Sequence, residues 1–362
     1  MVIQTHEHDI IKLYNFLSDS NVFMIGLFHI DNMINCDKWR FISRNSYYIY
    51  VSAFLLIGLV FTSNTIHVIY NAFGEIQSVN SNLVNKGDLQ SVPSKKIRVG
   101  DIGVAYKTFG KGDPILLISG SGNVLDVWPT TFLQELSSNH TVTIFDNRGV
   151  GNSTSGTRPF TISQFANDTI ALLDALNIQK TDVLGFSMAS FIAQQLTLTH
   201  PERVNRIILY GASCGGQEGI PQSPEVAKTI SDFVNNRSQN ADAFLSVTFP
   251  PEWIKTHSNY IETIPKPSEI ILSSTLVKQF NAVEDWMSRN WTGVCNQLQN
   301  ISIPTLIITG TEDVAVPAAN SLILVQKIPA AWLVQISGAG HGLMYQYPEQ
   351  FSKIVKTFLE NT

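Results

Sequence analysis

The segment TDVLGFSMAS, residues 181–190, sets Ser187 between a short apolar run and a stretch of helical periodicity. On so sharp a strand-to-helix turn a serine is pushed out of the sheet plane, with the helix N-terminus beneath it. The chain bends that tightly only if the residues two positions to either side are small. Gly185 meets this demand, while Ala189 stands where a glycine is usual and adds some crowding. A literal G-x-S-x-G also occurs, GASCG at 211–215, but Gly216, Gln217, Gly219 and Pro221 make the stretch after Ser213 a loop with no helix start. The turn chemistry therefore selects Ser187 as the nucleophile.

A serine hydroxyl attacks only when a base takes its proton, and the base needs an orienting carboxylate. Of eight histidines, His341 lies in ISGAGHGLMYQYPEQF, a glycine-rich loop between the last apolar run and the last helical stretch. The carboxylate candidate is Asp313 in LIITGTEDVAVP, directly after another apolar run, with its neighbour Glu312 as the alternative. Helix capping is the plainer role for either His341 or Asp313. An oxyanion formed by attack at a carbonyl needs two preorganised N–H donors. One is the backbone N–H of Met188, next to the nucleophile. The other is that of Ser121 in the loop SGSGN, where Gly120 and Gly122 allow close approach.

Something must hold these loops together. KIRV-GD-IGVAYKTF reads as a hairpin from Lys95 onward. Short apolar runs follow at Ile115–Ser119, Val142–Phe145, Asp182–Gly185, Arg206–Tyr210, Thr305–Thr309 and Trp332–Ile336. Helical stretches alternate with them at Trp128–Ser138, Ile162–Leu176, Met188–Thr199, Ala318–Lys327 and Glu349–Leu359. That alternation predicts an α/β fold with a mostly parallel sheet covered by helices on both faces. Residues 211–300 break the rhythm, lack a comparable apolar run and carry many aromatic residues, including Phe233, Phe249, Trp253 and Trp286. They read as a helical lid inserted between two core strands.

The 362 residues are 44% hydrophobic and 15% charged, which excludes a disordered or fibrous chain. A net charge of −5 gives no general reason to bind nucleic acid. No metal-ligand cluster and no phosphate loop appears, since GVGNS lacks the Gly-Lys-Ser ending, so neither a metal nor another cofactor is expected. Tyr47–Phe61 is YYIYVSAFLLIGLVF, and the apolar stretch extends to Tyr70, long enough to span a bilayer. Lys38, Arg40 and Arg44 lie upstream, and no Lys or Arg follows until Lys86. The asymmetry predicts residues 1–46 in the cytoplasm, an N-terminal membrane-anchor helix at 47–70, a linker at 71–94, and residues 95–362 outside. The alternative is a secreted or soluble protein.

In order along the chain, ILLISGSGNVLDVW, FDNRGVGNS, ANDTIALLDALNIQKTDVLGFSMAS, GTEDVAVP and GAGHG resemble the motifs of the serine α/β-hydrolases, specifically the esterase, lactonase and haloperoxidase-like group with a cap after the sixth strand. The resemblance runs from about residue 95 to 362. It implies a Ser187–Asp313–His341 triad and a structural bracing role for Asp146 and Arg148. Ser119 stands where that family commonly has a histidine.

A serine nucleophile implies acyl chemistry on a small-molecule substrate, and the lid aromatics favour an apolar portion in it. The leading expectation is a carboxylic ester or lactone hydrolase. The alternatives are a prolyl-aminopeptidase-type peptidase or acyltransferase, and a non-enzymatic ligand-binding receptor on the same scaffold. Cys214 and Cys295 flank the lid and are expected as two free thiols, although a bond between them would pin its hinge.

Overall fold

Lys95–Val99 and Ile102–Gly110 form β1 and β2, an antiparallel hairpin in which Val99 faces Ile102 across Gly100-Asp101. Gly100 takes φ +55°, the positive value that a two-residue hairpin turn requires. The strands β3 (Asp113–Ile118), β4 (His140–Phe145), β5 (Thr181–Phe186), β6 (Val204–Tyr210), β7 (Thr305–Gly310) and β8 (Ala331–Ile336) complete the sheet. Its order is β1-β2-β4-β3-β5-β6-β7-β8. β2 pairs antiparallel with β1 and β4, and every later pairing is parallel. The computed structural model describes residues 89–235, 241–257 and 271–362. The expected anchor at 47–70, the segment 1–46 and most of the 71–94 linker lie outside them. Among the described residues no helix is long and apolar enough to cross a membrane.

Strand side chains alternate between two cores, as the pleat dictates. Leu116 and Ile118 of β3 join the core beneath α2 (Ile162–Ala175), α3 (Met188–Thr199) and α8 (Ala319–Lys327). Ile115 and Leu117 join the opposite core, under α1 (Thr130–Leu136) and α9 (Pro348–Asn361). Each fully buried Leu, Ile or Phe contributes roughly 1.5–3 kcal/mol of hydrophobic stabilisation, so the two-sided core holds the strand ends in register. Thr161 caps α2 by accepting a hydrogen bond from the Gln164 N–H at 3.0 Å.

Between β6 and β7 lie α4 (Pro224–Asn235), α5 (Ala241–Thr248), α6 (Pro251–Thr256) and α7 (Ser273–Met287). Phe233, Val234, Ile271 and Leu276 of this cap form a small core shared with Val124 and Val150 from the loops below. Not every aromatic side chain here is turned to a ligand. Trp286 stacks on Phe191 of α3 with ring centroids 5.6 Å apart, inside the main core.

One expectation fails at the base of the cap. Cys214 and Cys295 are joined in a disulfide with Cα atoms 5.0 Å apart, and are not free thiols. The two cap stems cross through glycine: a Cβ on Gly216 would lie 2.1 Å from the Gly293 nitrogen. The Val294 N–H donates to the Cys214 carbonyl at 3.0 Å, which completes the approach. The contact joins residues 81 positions apart, so no local pattern announces it.

Candidate active site

Ser187 adopts φ 57° and ψ −123° between β5 and α3. Only Asn177 shares a positive φ among the described non-glycine residues, and such backbone strain persists where surroundings enforce it. The enforcement is visible on both sides. Ser187 N–H donates to the Tyr210 carbonyl of β6 at 2.8 Å, and the Ser187 carbonyl accepts from the Ser190 N–H and hydroxyl at 2.8 and 2.7 Å. A Cβ on Gly185 would sit 2.2 Å from the Ala189 carbonyl oxygen, so the tight turn makes its strongest demand at 185. Ala189, fully buried, fits its methyl into the core.

His341 Nε2 lies 2.9 Å from Ser187 Oγ, and His341 Nδ1 lies 2.8 Å from Asp313 Oδ2. His341 is 8% exposed and Asp313 3%. The other carboxylate oxygen of Asp313 accepts from the Val316 N–H at 2.9 Å, which fixes its plane. Glu312, the neighbouring alternative, is exposed, while Ser213 donates its hydroxyl to Asn320 at 2.9 Å. The three side chains come from the carboxyl ends of β5, β7 and β8, where open parallel sheets place their sites.

Tyr210 hydroxyl donates to the His341 carbonyl. Burial pushes its pKa well above the ordinary tyrosine value, so it stays a donor. Gly211, at φ +61°, leaves room for the imidazole, since a Cβ there would lie 2.9 Å from His341 Cε1. Neither residue is legible in the sequence as part of the site. Their only signal is a place at the end of the strand next to that of the serine.

The 119–123 loop lies directly against the serine, for a Cβ on Gly120 would come within 2.9 Å of Ser187 Cβ. Ser121 Oγ donates to Met188 Sδ at 3.2 Å, so the residues named as oxyanion donors are adjacent. Met188 begins α3, and an N–H at that position has no intrahelical acceptor. Ser119 serves the loop by donating its hydroxyl to the Asn123 carbonyl at 3.2 Å. Asn147 Nδ2 donates to the Ser119 carbonyl at 3.0 Å, and Gln279 Oε1, from the cap, accepts from the Gly122 N–H at 2.8 Å.

Asp146 and Arg148 tie the surrounding turns together. Asp146 accepts from the Leu125 N–H at 2.7 Å and the Asn152 N–H at 3.0 Å. Arg148 bonds both oxygens of Asp168 and both of Asp101. Its guanidinium holds the Asp101 carboxyl well below the usual carboxylate range. Among the described residues no group of His, Cys, Asp and Glu is disposed to hold a metal.

The family model for the alpha/beta hydrolase fold matches residues 113–348. The chain belongs to the α/β-hydrolase family. An Acinetobacter baylyi relative named 3-oxoadipate enol-lactonase 2 is 28% identical over 264 residues, 72% of this hydrolase and 94% of that protein. RutD of Azorhizobium caulinodans, named provisionally as a carbamate hydrolase, is 25% identical over 263 residues, 72% of this chain and 96% of its own. The solved structure of an α/β-hydrolase fold protein from Chitinophaga pinensis aligns with a TM-score of 0.64 and 27% identity, covering 76% of this chain and all (100%) of that one. These likenesses establish a hydrolase, and leave the bond it cleaves to its own site.

Proposed function

We propose that the protein is a serine hydrolase that cleaves a carboxylic ester or lactone through an acyl-enzyme intermediate. The observation that carries this reading is the position of His341, within hydrogen-bond distance of Ser187 Oγ on one side and Asp313 on the other. His341 Nε2 takes the Ser187 proton as Oγ bonds to the substrate carbonyl carbon. The resulting oxyanion is received by the backbone N–H groups of Ser121 and Met188. Collapse expels the alcohol, which leaves with the proton from His341. Water then attacks the acyl-enzyme with His341 again as base, releasing the carboxylic acid and restoring Ser187. In a lactone the alcohol and acid remain one molecule. Asp313 holds the imidazole in the tautomer that presents Nε2 to the serine.

The enol-lactonase name of the Acinetobacter relative supports the lactone side of this reading. The carbamate name attached to RutD favours a second one, in which the same serine opens an acyl–nitrogen bond. Hydrolysis of p-nitrophenyl esters of graded chain length and of simple lactones, set against an alkyl carbamate and proline naphthylamide, tests the proposal. Ester or lactone turnover that vanishes in Ser187→Ala is expected. Turnover of the nitrogen-linked substrates alone would overturn it. We also infer that the apolar stretch 47–70 anchors the hydrolase to a membrane with residues 95–362 outside the cytoplasm, and the Cys214–Cys295 disulfide favours that oxidising side. Release of the full chain from membranes by alkaline carbonate would contradict it.

A further inference from the structure

We propose that Gln279 is a positioning residue through which the cap sets the oxyanion loop, an inference that rests on the acyl-enzyme reading above. Gln279 lies on α7, fully buried, and its Oε1 accepts the Gly122 N–H at 2.8 Å. The opposite edge of the same peptide is held too, because Asn123 Nδ2 donates to the Ser121 carbonyl at 3.3 Å. Fixing the 121–122 peptide plane restricts the rotation available to the peptide before it, whose N–H is the Ser121 donor. One turn earlier on α7, Leu276 fills the space above Gly122, where a Cβ would meet its Cδ1 at 2.8 Å. Two residues three apart on one helix face thus clamp the loop beside Ser187.

The other end of the same carboxamide shows that stability does not explain the residue. Among the described residues Gln279 Nε2 is buried without a hydrogen-bond partner. A buried unpaired donor costs free energy that an apolar side chain of the same size would avoid. What an apolar side chain could not do is accept the Gly122 N–H. Gln279 therefore serves the loop at a cost to the fold, and the loop's function is to aim a donor at the reacting carbonyl oxygen.

The test needs no natural substrate. An alkyl fluorophosphonate phosphonylates Ser187 with its P=O oxygen in the oxyanion donors, so its labelling rate reads the loop directly. In the full-length protein, Gln279→Met keeps the length and removes the acceptor, whereas Gln279→Glu keeps an acceptor oxygen at the same reach. We expect Gln279→Met to label about tenfold more slowly, with kcat on p-nitrophenyl butyrate lowered in step and KM within about twofold. Gln279→Glu should recover most of the labelling rate at matched thermal midpoint. Labelling of Gln279→Met within twofold of wild type would overturn the proposal, as would equal losses in the two variants. Failure of the acyl-enzyme reading looks different: wild type, Gln279→Met and Gln279→Glu would all remain unlabelled.

Discussion

Ser187, Asp313 and His341 each follow a strand of one sheet almost directly, whereas Gln279 and Thr248 reach the same place from cap helices, and Phe249 from the residue just after one, with no strand to support them. Both groups touch the working loops. The Thr248 carbonyl accepts from the Gly342 N–H at 2.9 Å, and a Cβ on Gly342 would strike the Phe249 ring at 2.3 Å. The cap thus presses on the His341 loop with one segment and on the 119–123 loop with another. The sheet fixes where the three candidate side chains stand, by burial that is complete along β5 and β7. The cap fixes how the loops around them are turned, through a few single contacts and one disulfide. The difference implies that triad changes should cost activity without stability, and changes at the base of the cap the reverse.

The sharpest break of that contrast is at the triad. Ser187→Ala should lower kcat on a turned-over ester by on the order of 10⁶-fold, and Asp313→Asn by about 10⁴-fold, with thermal midpoints near wild type. A midpoint that collapses in either variant would show that the triad is also structural. Next comes the cap. Replacing both Cys214 and Cys295 by serine opens a loop of 81 residues and should cost about 4 kcal/mol of stability on loop-closure entropy, while fluorophosphonate still labels Ser187. Denaturant titration checks the first half and intact mass the second.

Gly211→Ala probes the seam between the two regions. Its Cβ would press on the imidazole at 2.9 Å and sit at φ +61°, so kcat should fall roughly 10–100-fold, with KM little changed. Stability should fall by about 1–3 kcal/mol, the cost of a non-glycine residue in the left-handed region. The smallest effect concerns acid. The hydrogen bond from Arg148 depresses the folded-state pKa of Asp101. Its contribution is therefore complete above the unfolded carboxylate pKa of about 3.9 and is lost as pH falls below that value. Denaturant midpoints from pH 7 to 2.5 should drop more steeply for wild type than for Asp101→Asn; parallel acid limbs would contradict this.

The sheet was legible because buried strands and amphipathic helices write their periods into neighbouring residues. Val142–Phe145 and Thr305–Thr309 lie within the observed β4 and β7, and Met188–Thr199 coincides with α3. The serine, aspartate and histidine candidates were legible for the same reason, since each sits where an apolar run stops. The disulfide and Gln279 were not. Cys214 meets Cys295 only because Gly215, Gly216 and Gly293 let two backbones touch, and Gln279 meets Gly122 across 157 residues. Neither contact leaves a period in the sequence. The aromatic residues of the insertion were visible, but their destinations were not: Trp286 entered the main core, and Phe249 the histidine loop.

The central claim is that Ser187 is the group that becomes acylated, and covalent trapping tests it most directly. The full-length protein, incubated with an alkyl fluorophosphonate and read by intact mass and peptide mapping, should carry one adduct, on the peptide containing Ser187. Ser187→Ala should carry none. An unmodified wild type, or an adduct that persists in Ser187→Ala and maps to Ser213, would contradict the account.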